Sequence, residues 1–362
     1  MNMPVKRKPM YLVIADDIKD TIDSNKFDYN NPICTERSIC EQYNVSRITA
    51  KHAINKLEEK GILYRKRGIG SFVTKLAPQL QRVFALVVPF STTQGGIFRA
   101  VNIASNVLSK QNHQLTIHMA HTDAADNVEL LEQLDSQNVD GIVYYPRTSV
   151  LPLETLNSFV NKSHPVIILD KKIPYPEFTS IVCDNYKGGY LLAEHLISYG
   201  HTRICYLSRF ALNHLPSIDD RYNGYKDCLI DAGITIPARF IHWSDYSSQS
   251  GQAGYYMLQH IVNTLCLDGI TAIICENDEV AFNVHMCCLN LGLRIPDDIS
   301  IAGFDNTDWA TTGNAQITTI DQNFGLIGEA IASALLDEKV KPQHHIIPVM
   351  LIPRTSTGRA KE

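Results

Sequence analysis

The sequence predicts two folds in one chain: a small α+β head, in which helices are followed by a β-hairpin, and a large α/β body with parallel sheets. Three observations point to this. The 362 residues are too many for one compact core. Positive charge is concentrated at the start, and after residue 82 short apolar runs alternate with segments of helical period. The predicted boundaries are 1–74 for the head, 75–82 for a linker and 83–362 for the body.

Charge separates the two parts. Residues 1–75 carry 14 Lys and Arg against 9 Asp and Glu, a net charge of +5. The remaining 287 residues carry 19 against 29, a net charge of -10. A basic head on an acidic body indicates a nucleic-acid module joined to a part with another task.

The composition also predicts a compartment. No apolar run approaches the roughly 18 residues of a membrane span, and no apolar signal segment follows Lys6, Arg7 and Lys8. The nine cysteines are odd in number and include no Cys-x-x-Cys pair, which favours buried reduced thiols over disulfides or a zinc site. We expect a cytoplasmic protein with no membrane association, no bound metal and no cofactor.

The head begins with three predicted helices. The first covers residues 11–27, where Ile14, Ile18 and Ile22 recur at four-residue steps. Thr35 is a candidate N-cap for a second helix, and Ser46 caps a third that runs to about Lys60. The third helix has a buried stripe made of Ala50, Ala53, Ile54 and Leu57. Its basic and polar first turn is therefore left free on other faces.

A β-hairpin follows the third helix. Residues 62–65 and 70–73 are extended, and the segment 66–69 between them carries Lys-Arg-Gly. A helix-turn-helix fits the major groove with the first turn of its second helix at the base edges. A cationic hairpin tip fits phosphates or the minor groove. The head is thus predicted to be a winged helix that binds double-stranded DNA.

The motifs of residues 5–75 carry a family resemblance. They are Thr35-Glu36-Arg37, the run from Tyr43 to Lys51, Gly61-Ile62-Leu63 and the run from Gly68 to Val73. The head resembles the DNA-binding domain of GntR-family regulators. By position, the resemblance implies DNA contacts from Arg37, Ser46, Arg47, Thr49, Lys51, Arg67 and Gly68. Lys51 stands where that family more often has Arg, which favours a phosphate contact over a paired guanine contact.

The body is predicted to be doubly wound. Apolar runs such as 83–88, 166–169 and 270–275 alternate with helical segments such as 98–111 and 278–291. Short buried strands between helices are typical of parallel sheets. Because about 280 residues exceed what one such sheet needs, we expect two subdomains with a cleft between them, where ligands meet the carboxyl ends of strands.

Polar residues follow several of these strands. Asp170, Asn277 and Asp305 each lie just after an apolar run, and Trp243 follows a strand-like segment. Sugar hydroxyls both donate and accept hydrogen bonds, so they need several such partners. The alternative for each acid is an N-cap of the next helix. The set together favours a polar cleft for a sugar.

A second resemblance covers almost all of residues 83–357. Its motifs include Asp184 to Tyr190, Arg221 to Tyr225, Asn277 to Ala281, Leu291 to Ser300, Gly303 to Asn306 and Thr318 to Gln322. This region is similar to the effector-binding core of the LacI/GalR family and to periplasmic sugar-binding proteins. The resemblance implies a ligand site at Phe98, Asp170, Arg221, Trp243, Asn277, Asp305, Gln322 and Phe324.

The two resemblances predict a regulator rather than an enzyme. The sequence has no Gly-x-Ser-x-Gly, no His-Glu-x-x-His and no Gly-Lys-[Ser/Thr] motif. We expect a homodimeric repressor of sugar-utilisation genes that binds a palindromic operator and is released by a monosaccharide such as L-arabinose. Another pentose, a deoxyhexose or a hexose remains open. The alternatives are a sugar-binding receptor or a sugar-active enzyme without operator binding.

Overall fold

The computed structural model describes residues 9–23, 27–28, 31–74, 81–89, 96–120, 124–146, 150–211, 215–244, 252–337 and 342–361. The chain divides into two compact units, Met1–Gln81 and Arg82–Glu362. Residues 75–80 of the expected linker lie outside the described residues, so its limits stay a prediction. No helix among the described residues is long and apolar enough to cross a lipid bilayer.

The first unit is a winged helix, as predicted. Its elements are α1 (Met10–Asp23), α2 (Glu36–Tyr43), α3 (Arg47–Glu59), β1 (Leu63–Lys66) and β2 (Gly70–Val73), with β1 and β2 antiparallel. The Thr35 side chain caps α2 and the Ser46 side chain caps α3, which confirms both predicted N-caps. Helix α1 ends at Asp23, short of the expected Phe27. The predicted stripe of α3 is buried in the core of this unit.

The second unit consists of two lobes. The N-terminal lobe has six parallel strands: β3 (Val83–Val88), β4 (Gln114–Met119), β5 (Ile142–Tyr144), β6 (Val166–Leu169), β7 (Thr179–Cys183) and β13 (His344–Ile347). Their order is β13-β7-β6-β5-β3-β4. Its helices are α4 (Gly96–Ser109), α5 (Ala124–Ser136), α6 (Leu153–Asn161) and α11 (Phe324–Leu336). Apolar clusters pack on both faces of the sheet, as a doubly wound fold requires.

The C-terminal lobe repeats this plan on a smaller sheet. Its parallel strands are β8 (Ile204–Ser208), β9 (Ile241–Trp243), β10 (Ala272–Cys275) and β11 (Ser300–Ala302), in the order β11-β10-β8-β9. Its helices are α7 (Asn185–Ser198), α8 (Pro216–Asp231), α9 (Gln252–Leu267) and α10 (Asp278–Asn290), with 3-10 turns at Ala238–Phe240 and Asp308–Thr311. A separate antiparallel pair is formed by β12 (Thr319–Asp321) and β14 (Met350–Ile352).

The described chain passes between the lobes three times. The crossings connect β7 to α7, β12 to α11 and β13 to β14. Each lobe is therefore built from separate stretches of sequence, and the ends of β6, β10 and β11 come together at the boundary between them. The predicted architecture of two subdomains with parallel sheets is confirmed.

Candidate functional site

The first turn of α3 is held by its own cap. The Ser46 hydroxyl accepts a hydrogen bond from the Thr49 backbone N–H at 3.3 Å and lies 3.0 Å from the Thr49 hydroxyl. Arg47, directly after the cap, has 85% of its side chain exposed. Lys51 is also exposed, one turn further on. A capped first turn with exposed cations is suited to phosphates and base edges of a major groove.

Two of the predicted DNA-contacting arginines have carboxylate partners within the head. Arg47 Nε donates to Glu36 Oε2 at 2.8 Å, and Arg37 Nε donates to Glu41 Oε1 at 2.8 Å. The hydrogen bond from Arg47 lowers the pKa of Glu36. Exposed ion pairs of this kind are weak, because water competes for both partners. Both arginines are thus held in place yet free to exchange a carboxylate for a phosphate.

The hairpin tip carries the remaining two predicted residues. Arg67 is exposed, and Gly68 has a φ of +78°, a backbone conformation that favours glycine. Lys66 Nζ lies 4.6 Å from the centre of the Phe72 ring, a contact between the two strands of the hairpin. All seven predicted residues therefore lie at the starts of α2 and α3 or at the hairpin tip. Their contacts with DNA stay a prediction.

A cavity of about 550 Å³ lies between the two lobes of the second unit. It is lined by six of the eight predicted ligand residues, namely Asp170, Arg221, Asn277, Asp305, Gln322 and Phe324. They come from the ends of β6, β10 and β11, from α8, and from the segment that joins β12 to α11. Residues 170 and 305, far apart in sequence, thus share one cleft.

Arg221 is the centre of this site and is 5% exposed. Its Nε donates to Asn185 Oδ1 at 2.8 Å, its Nη1 donates to the Glu276 carbonyl at 2.5 Å, and its Nη2 lies 3.3 Å from Asp305 Oδ1. The guanidinium carbon lies 3.7 Å from the centre of the Phe304 ring. Burial opposes its charge, but nearby carboxylates more than compensate and raise the pKa of Arg221. The guanidinium is a fixed, always-charged donor.

Glycines in two helices allow Arg221 to reach this position. A Cβ on Gly189 would lie 1.9 Å from the Arg221 carbonyl oxygen, and one on Gly224 would lie 2.0 Å from the Tyr186 carbonyl oxygen. Helices α7 and α8 therefore touch backbone to backbone, which no larger residue permits. The glycines in both motifs quoted for the second resemblance thus serve to place the arginine.

Two of the carboxylates in the cleft have unusual backbone conformations. Asp170 has a φ of 64° and Asp305 a φ of 107°. Residues other than glycine adopt such conformations rarely, and they cluster at functional sites. Asp305 also accepts a hydrogen bond from Gln322 Nε2. Burial raises the pKa of Asp305 to about 6, although Arg221 and Gln322 act in the opposite direction.

Asn277 both caps a helix and lines the cavity. Its Oδ1 accepts a hydrogen bond from the Val280 N–H at 2.9 Å, so the side chain is the N-cap of α10. The same residue lines the cavity. The cap fixes the carbonyl oxygen and leaves the amide N–H groups as donors. Capping and a place in the cleft are thus compatible.

Sequence reasoning missed several residues of the cleft: Tyr145, Lys171, Arg209, Glu279 and Trp309. Lys171 pairs with Asp170, and Arg209 Nε donates to the buried Glu276 at 2.8 Å. Arg209 follows β8 directly, so the strand-end rule that identified Asp170 would have found it. Trp309 lies in the 3-10 turn after β11, and no periodicity marks that turn.

Two predicted ligand residues lie elsewhere. Trp243 is 57% exposed at the end of β9, the edge strand of its sheet, and is not among the residues that line the cavity. Phe98 is the third residue of α4, and it is Gly96 and Ile97 of that turn that line the cavity. The sequence shows that an aromatic residue lies near the end of a strand, but it does not show where in the sheet that strand lies. A ligand contact from Trp243 or Phe98 stays a prediction.

The described residues include no group of three or more His, Cys, Asp and Glu side chains placed to hold a metal ion. His201 is 1% exposed and lies 2.8 Å from Thr271 Oγ1 and 3.0 Å from the Gly358 carbonyl oxygen. It attaches the C-terminal segment to the lobe and is not among the residues that line the cavity. Burial lowers the pKa of His201.

Comparison with known proteins agrees with both parts of this description. Residues 10–73 match the bacterial regulatory proteins of the gntR family, and residues 193–357 match the periplasmic binding protein-like domain. The fold and the two matches define a transcriptional regulator with a winged-helix head and a ligand-binding type of body.

Known transcriptional regulators are similar to most of this chain. The chain is 26% identical over 325 residues to the arabinose metabolism transcriptional repressor of Geobacillus stearothermophilus, a match that covers 88% of each protein. It is 24% identical over 339 residues to the HTH-type transcriptional repressor PurR of Klebsiella pneumoniae, covering 91% of this chain and 97% of that protein. Among solved structures, a LacI family transcriptional regulator from Enterococcus faecium with bound ribose has a TM-score of 0.64 and 27% identity, covering 77% of this chain and all of that one.

Proposed function

We propose that this protein is a repressor of sugar-utilisation genes, that it binds a two-fold symmetric operator as a homodimer, and that a monosaccharide such as L-arabinose releases it. The observation that carries the proposal is the set formed by Arg221, Asp305, Gln322 and Asn277 in one cleft of a chain whose head exposes a basic recognition helix. These side chains offer donors and acceptors on several sides, which hydroxyl groups need.

The charge of the cleft supports an uncharged ligand. Each cation that lines it has a carboxylate partner: Lys171 with Asp170, Arg209 with Glu279, and Arg221 with Asp305. No cation of the described lining is left for a phosphate or a carboxylate on the ligand. A neutral sugar has only to exchange hydrogen bonds with these pairs. The names of the arabinose repressor and of the ribose-bound structure agree with this class of effector.

Exposed apolar side chains support a dimer formed by the body. The packed helices α9 and α10 expose Tyr256, Met257, Met286 and Leu289 to between 36% and 57%. The edge strand β4 exposes Ile117 and Met119. Such side chains on neighbouring elements are typical of protein–protein contacts. A two-fold axis through the body would give two heads for two half-sites.

Paired substitutions test the modular function. We expect Arg47→Ala to abolish binding to DNA selected from a random library while the affinity for the sugar is unchanged. Asp305→Ala should do the reverse, because it leaves Arg221 without its counterion and the ligand without an acceptor. Binding to DNA is measured by gel retardation. Binding to each sugar of a monosaccharide panel is measured by the thermal shift, since a ligand at 100 times its Kd stabilises by about 2.7 kcal/mol.

The controls replace an arginine and an aspartate at exposed positions of the body. Arg359→Ala and Asp268→Ala should leave both DNA binding and sugar binding intact. A single variant that loses both activities would disprove independent modules. Binding of a sugar without retardation of any DNA favours the receptor alternative. Conversion of the bound sugar, followed by chromatography, favours the enzyme alternative.

A further inference from the structure

The recognition helix exposes one large apolar side chain. Ile48, the second residue of α3, is 72% exposed, and among large apolar side chains of the described residues only Val150 and Leu267 are more exposed. Leu57, in the buried stripe, is nine residues further on, which is about 180° around a helix. Ile48 therefore projects directly away from the core of the head.

Exposure alone would mean little, because single apolar residues on protein surfaces are common. The surroundings of Ile48 are what make it informative. It follows Arg47, which is exposed, and it precedes Lys51 by three residues, so all three lie on the outer face of the helix. The Ser46 cap holds this turn in place. A face otherwise built for a polyanion thus has an apolar group at its centre.

Isoleucine limits what such a face can contact. Its side chain neither donates nor accepts a hydrogen bond, and placed against a polar base edge it would remove water without replacing the lost bonds. The major groove has one apolar group to offer, the C5-methyl of thymine. Branching at Cβ keeps the methyl groups of Ile48 in few rotamers, so little entropy is lost on contact.

We propose that Ile48 is a specificity-determining residue that recognises a thymine of the operator half-site through its C5-methyl group. The proposal rests on the proposed function, since it requires that the head binds DNA. Arg47 and Lys51, which both lie on one side of Ile48 around the helix, then supply the contacts to phosphates and hydrogen-bonding edges beside it.

Uracil substitution tests this contact one methyl group at a time. The preferred half-site is first selected from random DNA with the full-length protein, and each thymine is then replaced in turn by deoxyuridine, which lacks only the methyl group. We expect one position per half-site at which the wild type loses roughly fourfold in affinity, the effect of burying one methyl group. Ile48→Ala should bind the thymine and uracil operators equally at that position.

Val13→Ala is the matched control. It shortens another β-branched, 40% exposed side chain of the head, on α1, and it should keep the wild-type response to uracil. If no uracil substitution weakens the wild type, or if Ile48→Ala responds as the wild type does, the thymine contact is wrong although DNA binding stands. If the wild type selects no DNA at all, the proposed function fails and this inference with it. Circular dichroism melting of both variants verifies the fold.

Discussion

Glu36 competes with DNA for a candidate contact residue. Its carboxylate accepts a hydrogen bond from Arg47 at 2.8 Å and lies 3.7 Å from Arg65. For the predicted contact with DNA, we expect the arginine to leave this partner and the carboxylate to lie near phosphates. Glu36→Gln should therefore raise the affinity for operator DNA. Because the pair is exposed, we expect the gain to be small, roughly 1.4- to 5-fold for each head.

Fluorescence anisotropy at fixed salt measures the effect. Glu59→Gln provides the comparison, because it removes a similar exposed pair, with Lys56 at 3.0 Å, at the other end of α3. That variant should bind as the wild type does. Equal or weaker binding by Glu36→Gln would show that the carboxylate does not oppose the contact.

A second residue of interest at this scale is Asp278, which is 1% exposed behind the cleft. It accepts hydrogen bonds from the Thr307 N–H at 2.7 Å and from the hydroxyl groups of Thr307 and Thr319, and none of these three donors carries a charge. Burial, with the nearby charge of Asp305, raises the pKa of Asp278 to about 7 from 3.8. Folding therefore favours the protonated form of this side chain.

The consequence is a pH-dependent stability. The stabilisation due to protonated Asp278 is full below pH 4 and is lost as the pH rises towards 7, because the unfolded state releases its proton first. Relative to the wild type, Asp278→Asn should thus become more stable by up to about 1.4 kcal/mol per pH unit between pH 5 and 7. Urea unfolding at several pH values measures this difference. Asp268→Asn, at an exposed site, should show a constant difference, and a constant difference for Asp278→Asn would refute the prediction.

At the scale of elements, two ion pairs between described residues connect the lobes outside the cavity lining. Arg99 on α4 lies 2.9 Å from Asp308 in the 3-10 turn, and Lys172 after β6 lies 2.6 Å from Asp220 on α8. Arg99 also donates to the Asn306 carbonyl oxygen at 3.2 Å. Both pairs stabilise the arrangement in which the lobes are together. We expect a ligand that contacts both lobes to bind best when the lobes are together, so the two ion pairs should favour ligand binding.

We expect Arg99→Ala to weaken effector binding without changing any residue that lines the cavity. The loss should be about 1.4- to 5-fold, the worth of one exposed pair. Isothermal titration with the sugar found in the monosaccharide panel measures it. Lys162→Ala breaks a pair with Asp135 inside the N-terminal lobe at 2.6 Å and should leave the affinity unchanged. Equal affinities for Arg99→Ala and the wild type would show that the pair does not contribute to closure.

At the scale of the whole molecule, the proposed dimer makes operator binding bivalent. Tyr256→Glu combined with Leu289→Glu places charge on the exposed apolar side chains of α9 and α10. The variant should sediment as a monomer and bind the operator about 100-fold or more weakly, because the second half-site no longer benefits from linkage to the first. Ile230→Glu, a 59% exposed position on α8, should remain dimeric. Dimeric sedimentation of the double variant would place the interface elsewhere.

Much of the fold was predictable because it depends on local patterns. The caps Thr35 and Ser46, the buried stripe of α3 and the parallel strands β3, β6 and β10 all follow from residues close together in sequence. Strand β4 was not predicted. It lies at an edge of its sheet and is half exposed, so it lacks the continuous apolar run that marks a buried strand.

The sequence by itself determined that a basic winged helix precedes a doubly wound body, and that strands β6, β10 and β11 end in polar residues. Tertiary structure alone decided which of these ends meet. It joined Asp170, Arg221 and Asp305 across three crossings of the chain, added Lys171 and Trp309, and left Trp243 at an outer edge. The physical reason is that helical and strand periods are set by near neighbours, whereas strand order and lobe closure depend on contacts hundreds of residues apart.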